Sequence, residues 1–336
     1  MTSNIAIACQ GGGSHTAFTA GVLQTLLPHI EECEDCRLVG LSGTSGGAVS
    51  ALAGWYGYLT GGGDGAVDTI EELWADIAAD DPYQWILNEW GVWWSRLQHG
   101  AAPTPTISPY HHPFADLGKR EFRRLLERHV DFDRVPDLVG PETPRLVVGT
   151  VDINDGEFET FSDESITAEA MLASAAVPSL FEAVEIDGHY HWDGLFSQNP
   201  PVYDLMHTAP ARKPDELWVI QINPQTREGE PTSVEEIVDR RNELAGNISL
   251  NQELRFIQTV NDWIDAGQLS GAYYNHTEIR RIVLDERLGY ASKLDRSAAF
   301  IERLLADGRA DAEAFLAETT IGEHEHDVDV ADTHDD

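Results

Sequence analysis

Apolar residues fall along this chain in short blocks that alternate between two periods. Residues 4–10 ("NIAIACQ") form an apolar run ending at three glycines, and residues 15–27 ("HTAFTAGVLQTLL") follow a helical period. Residues 37–43 and 46–59 repeat the sequence of strand, glycine turn and small-residue helix, with Ser45 at the joint. Two such units at the start of the chain predict a parallel sheet covered by helices on both faces. Apolar runs at 144–153 ("PRLVVGTVDI"), 216–224 ("ELWVIQINP") and 278–285 ("EIRRIVLD") predict further strands. Asp155-Gly156 reads as a hairpin turn into "EFETFS", and Asp187-Gly188 as the turn of a hairpin over 180–194 ("LFEAVEIDGHYHWDG"). That second hairpin delivers Asp193 just past a strand end. Helices are predicted at 166–178, stopped by Pro178, over 232–267, and after the late strand to about residue 317. No internal repeat is visible.

The pattern is interrupted at 60–68 ("TGGGDGAVD"). From there to about residue 120 the chain carries Trp74, Trp85, Trp90, Trp93 and Trp94, five of its nine tryptophans, then the proline-rich "AAPTPTISPYHHP". This predicts a helical insert at 61–120, whose tryptophans serve either a core or a binding lid. Residues 1–320 otherwise read as one α/β domain, and 321–336 as an acidic disordered tail.

Composition adds what the pattern omits. A chain of 336 residues with 42% hydrophobic residues can bury a substantial core. Its formal charge is −36, from 58 acidic and 22 basic residues, and its only lysines are Lys119, Lys213 and Lys293. The acids run through the body ("EECED", "DAEAF", "VEEIVDRRNEL") as well as the tail. Such a surface repels nucleic acid and anionic membranes. It predicts a salt-adapted cytoplasmic protein of halophilic, haloarchaeal type, since molar salt shrinks the Debye length to about 3 Å. No signal peptide is expected, and no run approaches the ~18–20 apolar residues of a membrane span. Cys9 lies in the first predicted strand. Cys33 and Cys36 ("EECEDCR") lack a second ligand pair, and flanking acids raise thiol pKa values, so they read as loop residues rather than a zinc or redox site.

Two glycine turns carry the candidate chemistry. Gly43-Thr44-Ser45-Gly46-Gly47 is a G-x-S-x-G pattern between strand and helix, where a sharp turn pushes a serine hydroxyl clear of the backbone. The helix after it aims unpaired N–H groups and partial positive charge at the same place. The second turn, "QGGGSH" at 10–15, can form an anion-binding concavity. A dinucleotide fingerprint fails there because Thr16 replaces the third glycine, and a Walker loop fails for want of Gly-Lys-Ser/Thr. An oxyanion hole beside the serine turn remains. Ser45 also needs a base. Of thirteen histidines, His15, His189, His191 and His207 draw attention, but none sits in a context that pairs it with Ser45. Asp193 in "HWDG" does, at a strand end where α/β enzymes present reacting groups.

The blocks "GGGSHTAFTAGVL", "GTSGG", "ASAAVPSLF" and "WDG", in this order and spacing, resemble the patatin-like family of lipid acyl hydrolases over roughly residues 4–224. The resemblance implies a three-layer α/β/α fold and a Ser–Asp dyad without histidine, with Ser45 as nucleophile and Asp193 as base. It implies an oxyanion hole from the amides of Gly11, Gly12 and Gly13, helped by Gly46. No cofactor or metal is expected. The chain departs from the family pattern in two places. His15 and Thr16 stand where Arg or Lys and then Gly are usual, and Leu195 follows Gly194 where a second small residue is usual. The implied substrate is a phospholipid or other acyl lipid. Ether-linked membranes in an archaeal host would instead favour an intracellular polyester such as polyhydroxyalkanoate granules, on which some patatin-like proteins act. A rival of another class is a non-catalytic module that only holds a lipid, separable with a serine-reactive fluorophosphonate.

Overall fold

The first strand, β1 (Ser3–Cys9), has two apolar faces. Ile5, Ile7 and Cys9 point to one side and Ala6 and Ala8 to the other, and all five are fully buried. A strand buried on both faces needs helices above and below it. The structure, a computed structural model, describes residues 2–78, 108–111, 115–178, 180–270, 273–286, 288–319 and 321. After β1 come α1 (Ala17–Glu32), β2 (Cys36–Thr44), α2 (Gly46–Ile77), α3 (Ala115–His129) and α4 (Val135–Leu138). Next are β3 (Arg145–Asp152), β4 (Glu157–Ser162), α5 (Ala168–Ser174), β5 (Val184–Ile186), β6 (His189–Asp193) and α6 (Tyr203–Met206). The chain continues through β7 (Glu216–Gln221), α7 (Val234–Asp265), β8 (Glu278–Val283) and α8 (Ala298–Glu318).

The strands form one sheet in the order β5-β6-β3-β2-β1-β7-β8, with β4 also paired to β3. From β3 through β8 the pairing is parallel, and the two hairpins add antiparallel strands. Phe18, Leu23, Trp55 and Leu304 of α1, α2 and α8 pack with Ile7 and Ile220 on one face. Leu250, Leu254 and Ile257 of α7 cover Ala6, Ala8 and Val219 on the other. This is the three-layer α/β/α arrangement expected from the sequence. No described helix is long and apolar enough to cross a membrane.

Three details differ from the sequence expectations. The composition change at 60–68 is not where helix stops: α2 breaks at Gly61 and Gly62 (φ 67°) and resumes to Ile77. Ala66, Ile70, Leu73 and Trp74 beyond the break join the main core, so Trp74 is a core residue. The other tryptophans of the expected insert, Trp85, Trp90, Trp93 and Trp94, lie outside the described residues, as does 322–336 of the expected tail. α5 ends at Ser174, short of Pro178, whose ring disfavours helical backbone at the residue before it. Cys33 and Cys36 form a disulfide in the turn between α1 and β2, their Cα atoms 5.2 Å apart and inside the range a disulfide spans. The turn holds the two sulfurs together whatever the acidity of the free thiols.

β3 fixes the positions of three other strands. β4 covers one of its edges from Val147 to Asp152. The opposite edge therefore holds both β2, against Arg145 to Gly149, and β6, against Thr150 to Asp152. β2 runs parallel to β3 and β6 antiparallel, so their C-terminal ends meet head to head. Thr44 lies opposite Gly149 and Asp193 opposite Thr150.

Candidate active site

Ser45 comes directly after β2 and is half-buried between it and α2. Its backbone is in the left-handed region at φ 56°, ψ −131°, a conformation that costs a non-glycine residue about 1–3 kcal/mol. Packing imposes that conformation. A Cβ at Gly47 would lie 2.4 Å from the Cys9 carbonyl oxygen, and one at Gly46 2.3 Å from Thr16 Oγ1 and 2.7 Å from the Gly13 oxygen. The two glycine turns are thus pressed together, and only residues without a side chain allow it. The Ser45 N–H donates to Ser174 Oγ at 2.9 Å, and Ser174 Oγ donates to the Gly149 oxygen at 2.8 Å. One buried hydroxyl on α5 ties the serine turn to β3.

Asp193 closes β6, 1% exposed. Its N–H donates to the Ala176 oxygen at 3.0 Å, and its Oδ1 accepts the Leu195 N–H at 2.8 Å. Burial raises its carboxyl pKa to about 7, opposed by the Ser45 hydroxyl and the Leu195 N–H. The hydroxyl is therefore close enough to favour the ionised carboxylate. Even so, Oδ2 is buried with no closed hydrogen bond, so one oxygen stays open toward a proton.

The glycine turn is set by a buried carboxamide frame. Gly11 N–H donates to Asn199 Oδ1 at 2.6 Å, and Asn223 Nδ2 donates to the Gly11 oxygen at 3.2 Å. Gln10 Oε1 accepts the N–H groups of Ile222 and Asn223, and Gln10 Nε2 donates to Asn247 Oδ1 at 2.8 Å. This corrects one expectation: the Gly11 amide is held by Asn199 and is not open to an anion. The N–H groups of Gly12, Gly13 and Gly46 make no hydrogen bond among the described residues. A Cβ on Gly11 would sit 3.0 Å from the Ser45 Cβ, which places this turn directly beside the serine.

The four histidines of interest are engaged elsewhere. His15 is buried with Nε2 2.8 Å from Ser292 Oγ, and burial, then Lys293 and Arg303, push its pKa down to about 3. His207 stacks on Tyr203. His189 and His191 pair with Asp152 and Glu159. Sequence reasoning missed Ser174 and Asn199. Ser174 lies in the quoted "ASAAVPSLF" block, but its use depends on three elements meeting; Asn199 carries no local motif.

A family model described as patatin-like phospholipase matches residues 7–206. Among solved structures, the chain is similar to VipD from Legionella pneumophila, with 14% identity and a TM-score of 0.45, covering 94% of this chain and 67% of that one. It is also similar to the ExoU–SpcU complex of the type III secretion system of Pseudomonas aeruginosa, with 12% identity and a TM-score of 0.33, covering 93% of this chain and 52% of that one. No curated protein sequence matches significantly. The matched span contains Ser45, Asp193, both glycine turns, Ser174 and Asn199, and on it the chain belongs to the patatin-like phospholipase family and is a lipid acyl hydrolase.

Proposed function

We propose that this chain hydrolyses carboxylic esters with Ser45 as nucleophile and Asp193 as general base. The observation that carries the reading is the head-to-head meeting of β2 and β6 on one edge of β3, which sets a strained serine beside a buried carboxylate. Asp193 takes the Ser45 proton as Oγ attacks the ester carbonyl. The amides of Gly12, Gly13 and Gly46 receive the oxyanion, and the alcohol leaves with the proton. Water, deprotonated by Asp193, then attacks the acyl-serine, and the proton returns to Oγ as the acid departs. The carboxamide frame behind Gly11 keeps the donor loop in place while charge develops.

Ser45→Ala and Asp193→Ala are each expected to abolish turnover of a short p-nitrophenyl ester with an unchanged circular dichroism spectrum. A fluorophosphonate is expected to label the wild type and not Ser45→Ala. Robust turnover in Asp193→Ala would move the base elsewhere, and an unlabelled wild type would leave a lipid-holding module.

The substrate we favour is an acyl lipid. A neutral intracellular polyester is the second reading, favoured by the charge of −36, which disfavours anionic bilayers. In molar salt, fatty-acid release from phosphatidylcholine supports the first and clearing of amorphous polyhydroxybutyrate the second. The same charge supports a salt-adapted cytoplasmic setting of haloarchaeal type. There, a single 1–320 domain would touch a lipid or granule surface peripherally.

A further inference from the structure

Beyond Asp193, β6 carries a second constellation that the ester chemistry does not use. A cavity of about 350 Å³ opens between β3, β4 and the β5–β6 hairpin, lined in part by Asp152, Asp155, Glu159, His189 and His191. His189 and His191 are two apart on one strand, so both rings rise from the same face. Asp152 on β3 lies opposite His191 in the ladder, and Glu159 reaches in from β4. His191 Nε2 is 2.5 Å from Glu159 Oε2, and His189 Nδ1 is 2.6 Å from Asp152 Oδ2. Single ligand atoms of Asp152, Glu159 and His191 all lie within 4.8 Å of one another, and so do those of Asp152, Asp155 and His189.

Two further observations describe how the ligand groups are held. His191 is 1% exposed and brings Nε2 to the cluster at Glu159. Its Nδ1, across the ring, is buried with no hydrogen-bond partner among the described residues, so no described group fixes its tautomer. Asp152 is buried, and its Oδ1 is fixed by the N–H groups of Asn154 and Asp155 at 2.7 and 3.1 Å. Oδ2 meets His189 Nδ1 at 2.6 Å, a contact an ion would share or displace, while Oδ1 is held from behind as ligating carboxylates usually are.

We propose that this cavity binds one divalent transition-metal ion of the zinc class, with His191, Asp152 and Glu159 as ligands and water in the fourth position. His189 and Asp155 flank Asp152 and orient it. A mixed set of imidazole and carboxylate suits zinc, manganese or cobalt, whereas calcium takes oxygen alone. Metal–ligand bonds of about 2.0–2.2 Å put tetrahedral ligands roughly 3.4 Å apart. The His191–Glu159 contact then opens by less than about 1 Å as the ion replaces the shared proton. The ion would tie β6 to β3 and β4 next to the ladder step that ends at Asp193. The sequence raised no expectation of a metal because the ligands come from three strands with no shared spacing.

The test is calorimetric titration of the chelator-treated, dialysed full chain with zinc chloride in about 2 M NaCl, which screens diffuse attraction to the acidic surface. One saturable equivalent of micromolar affinity or tighter is expected. Glu159 is exposed, so Glu159→Gln keeps the fold, and it should weaken binding at least 100-fold. His189→Gln should weaken it about 10–100-fold through its hold on Asp152. Absence of a saturable equivalent in the wild type overturns the proposal, as does unchanged affinity in Glu159→Gln. Cobalt substitution gives an independent reading: ligand-field absorption bands in the wild type, lost in Glu159→Gln, support the site, and their absence or persistence refutes it. None of these readouts depends on ester hydrolysis.

Discussion

Ser174→Ala isolates the device that holds the serine turn. The Ser174 hydroxyl accepts the Ser45 N–H at 2.9 Å and donates to the Gly149 oxygen at 2.8 Å, and the residue is fully buried. Alanine removes one oxygen and little packing, so the change reports on the two hydrogen bonds. It strands a backbone donor and a backbone acceptor, each costing about 1–3 kcal/mol when buried without a partner, or about 2–6 kcal/mol together. A domain of ordinary stability, about 5–15 kcal/mol, still folds after that loss. The strain at Ser45, φ 56°, then has one restraint fewer, and the peptide is free to rotate toward a relaxed conformation. A shift of about 1 Å at a reacting atom costs about 100-fold in rate. The expected result is a lower urea midpoint, equivalent to at least about 2 kcal/mol, and a kcat for a short p-nitrophenyl ester reduced at least tenfold with KM nearly unchanged. A stability change under about 0.5 kcal/mol with kcat within twofold of wild type would refute the reasoning.

Three further outcomes are expected. Asn199→Ala releases the Gly11 amide and should lower both stability and kcat, whereas a variant with wild-type kcat would show that the carboxamide frame does not position the donor loop. Glu253 accepts the N–H groups of Val202 and Tyr203, and burial pushes its pKa up to about 7 despite those bonds. The folded state therefore binds this proton more tightly than the unfolded chain, and stability falls as pH rises from about 4.5 to 7. Glu253→Gln keeps both acceptor bonds without the charge, so its melting temperature should exceed the wild-type value at pH 8 and lose that part of the slope; identical slopes would be evidence against it. Finally, the charge of −36 should make the wild type melt higher in molar NaCl than at 0.01 M, where the Debye length is about 30 Å, and a flat response would remove self-repulsion as a factor.

Much of this molecule was legible because its signals are local. β1 and β2 show as apolar runs ending at glycine, and both hairpins show as Asp-Gly turns, with Asp187 at φ 51° and Gly156 at φ 74°. Ser45 and Asp193 stood out because each closes such a run. What remained hidden depends on contacts between distant segments. The Gly61–Gly62 break reads as a boundary in composition, yet it lets a second helical stretch fold back onto the core. The bond from Gly11 to Asn199 spans most of the chain, and no local pattern could reveal that this amide was taken. The Cys33–Cys36 bond depends on the turn that brings the two sulfurs together, which the acidic neighbours of the thiols do not reveal.

Because Thr44 and Asp193 face consecutive residues of a single strand, β3 works as the ruler for the pair. Loops between β2 and β3, or between β4 and β6, can lengthen or shorten without stretching that ruler, which leaves them free to be remodelled for different esters. The ruler is graduated in whole residues of about 3.3 Å, and a slip of one graduation turns the carboxylate to the opposite face of the sheet. Substitutions in this region should therefore divide into those that leave the spacing intact and those that destroy it, with few intermediates.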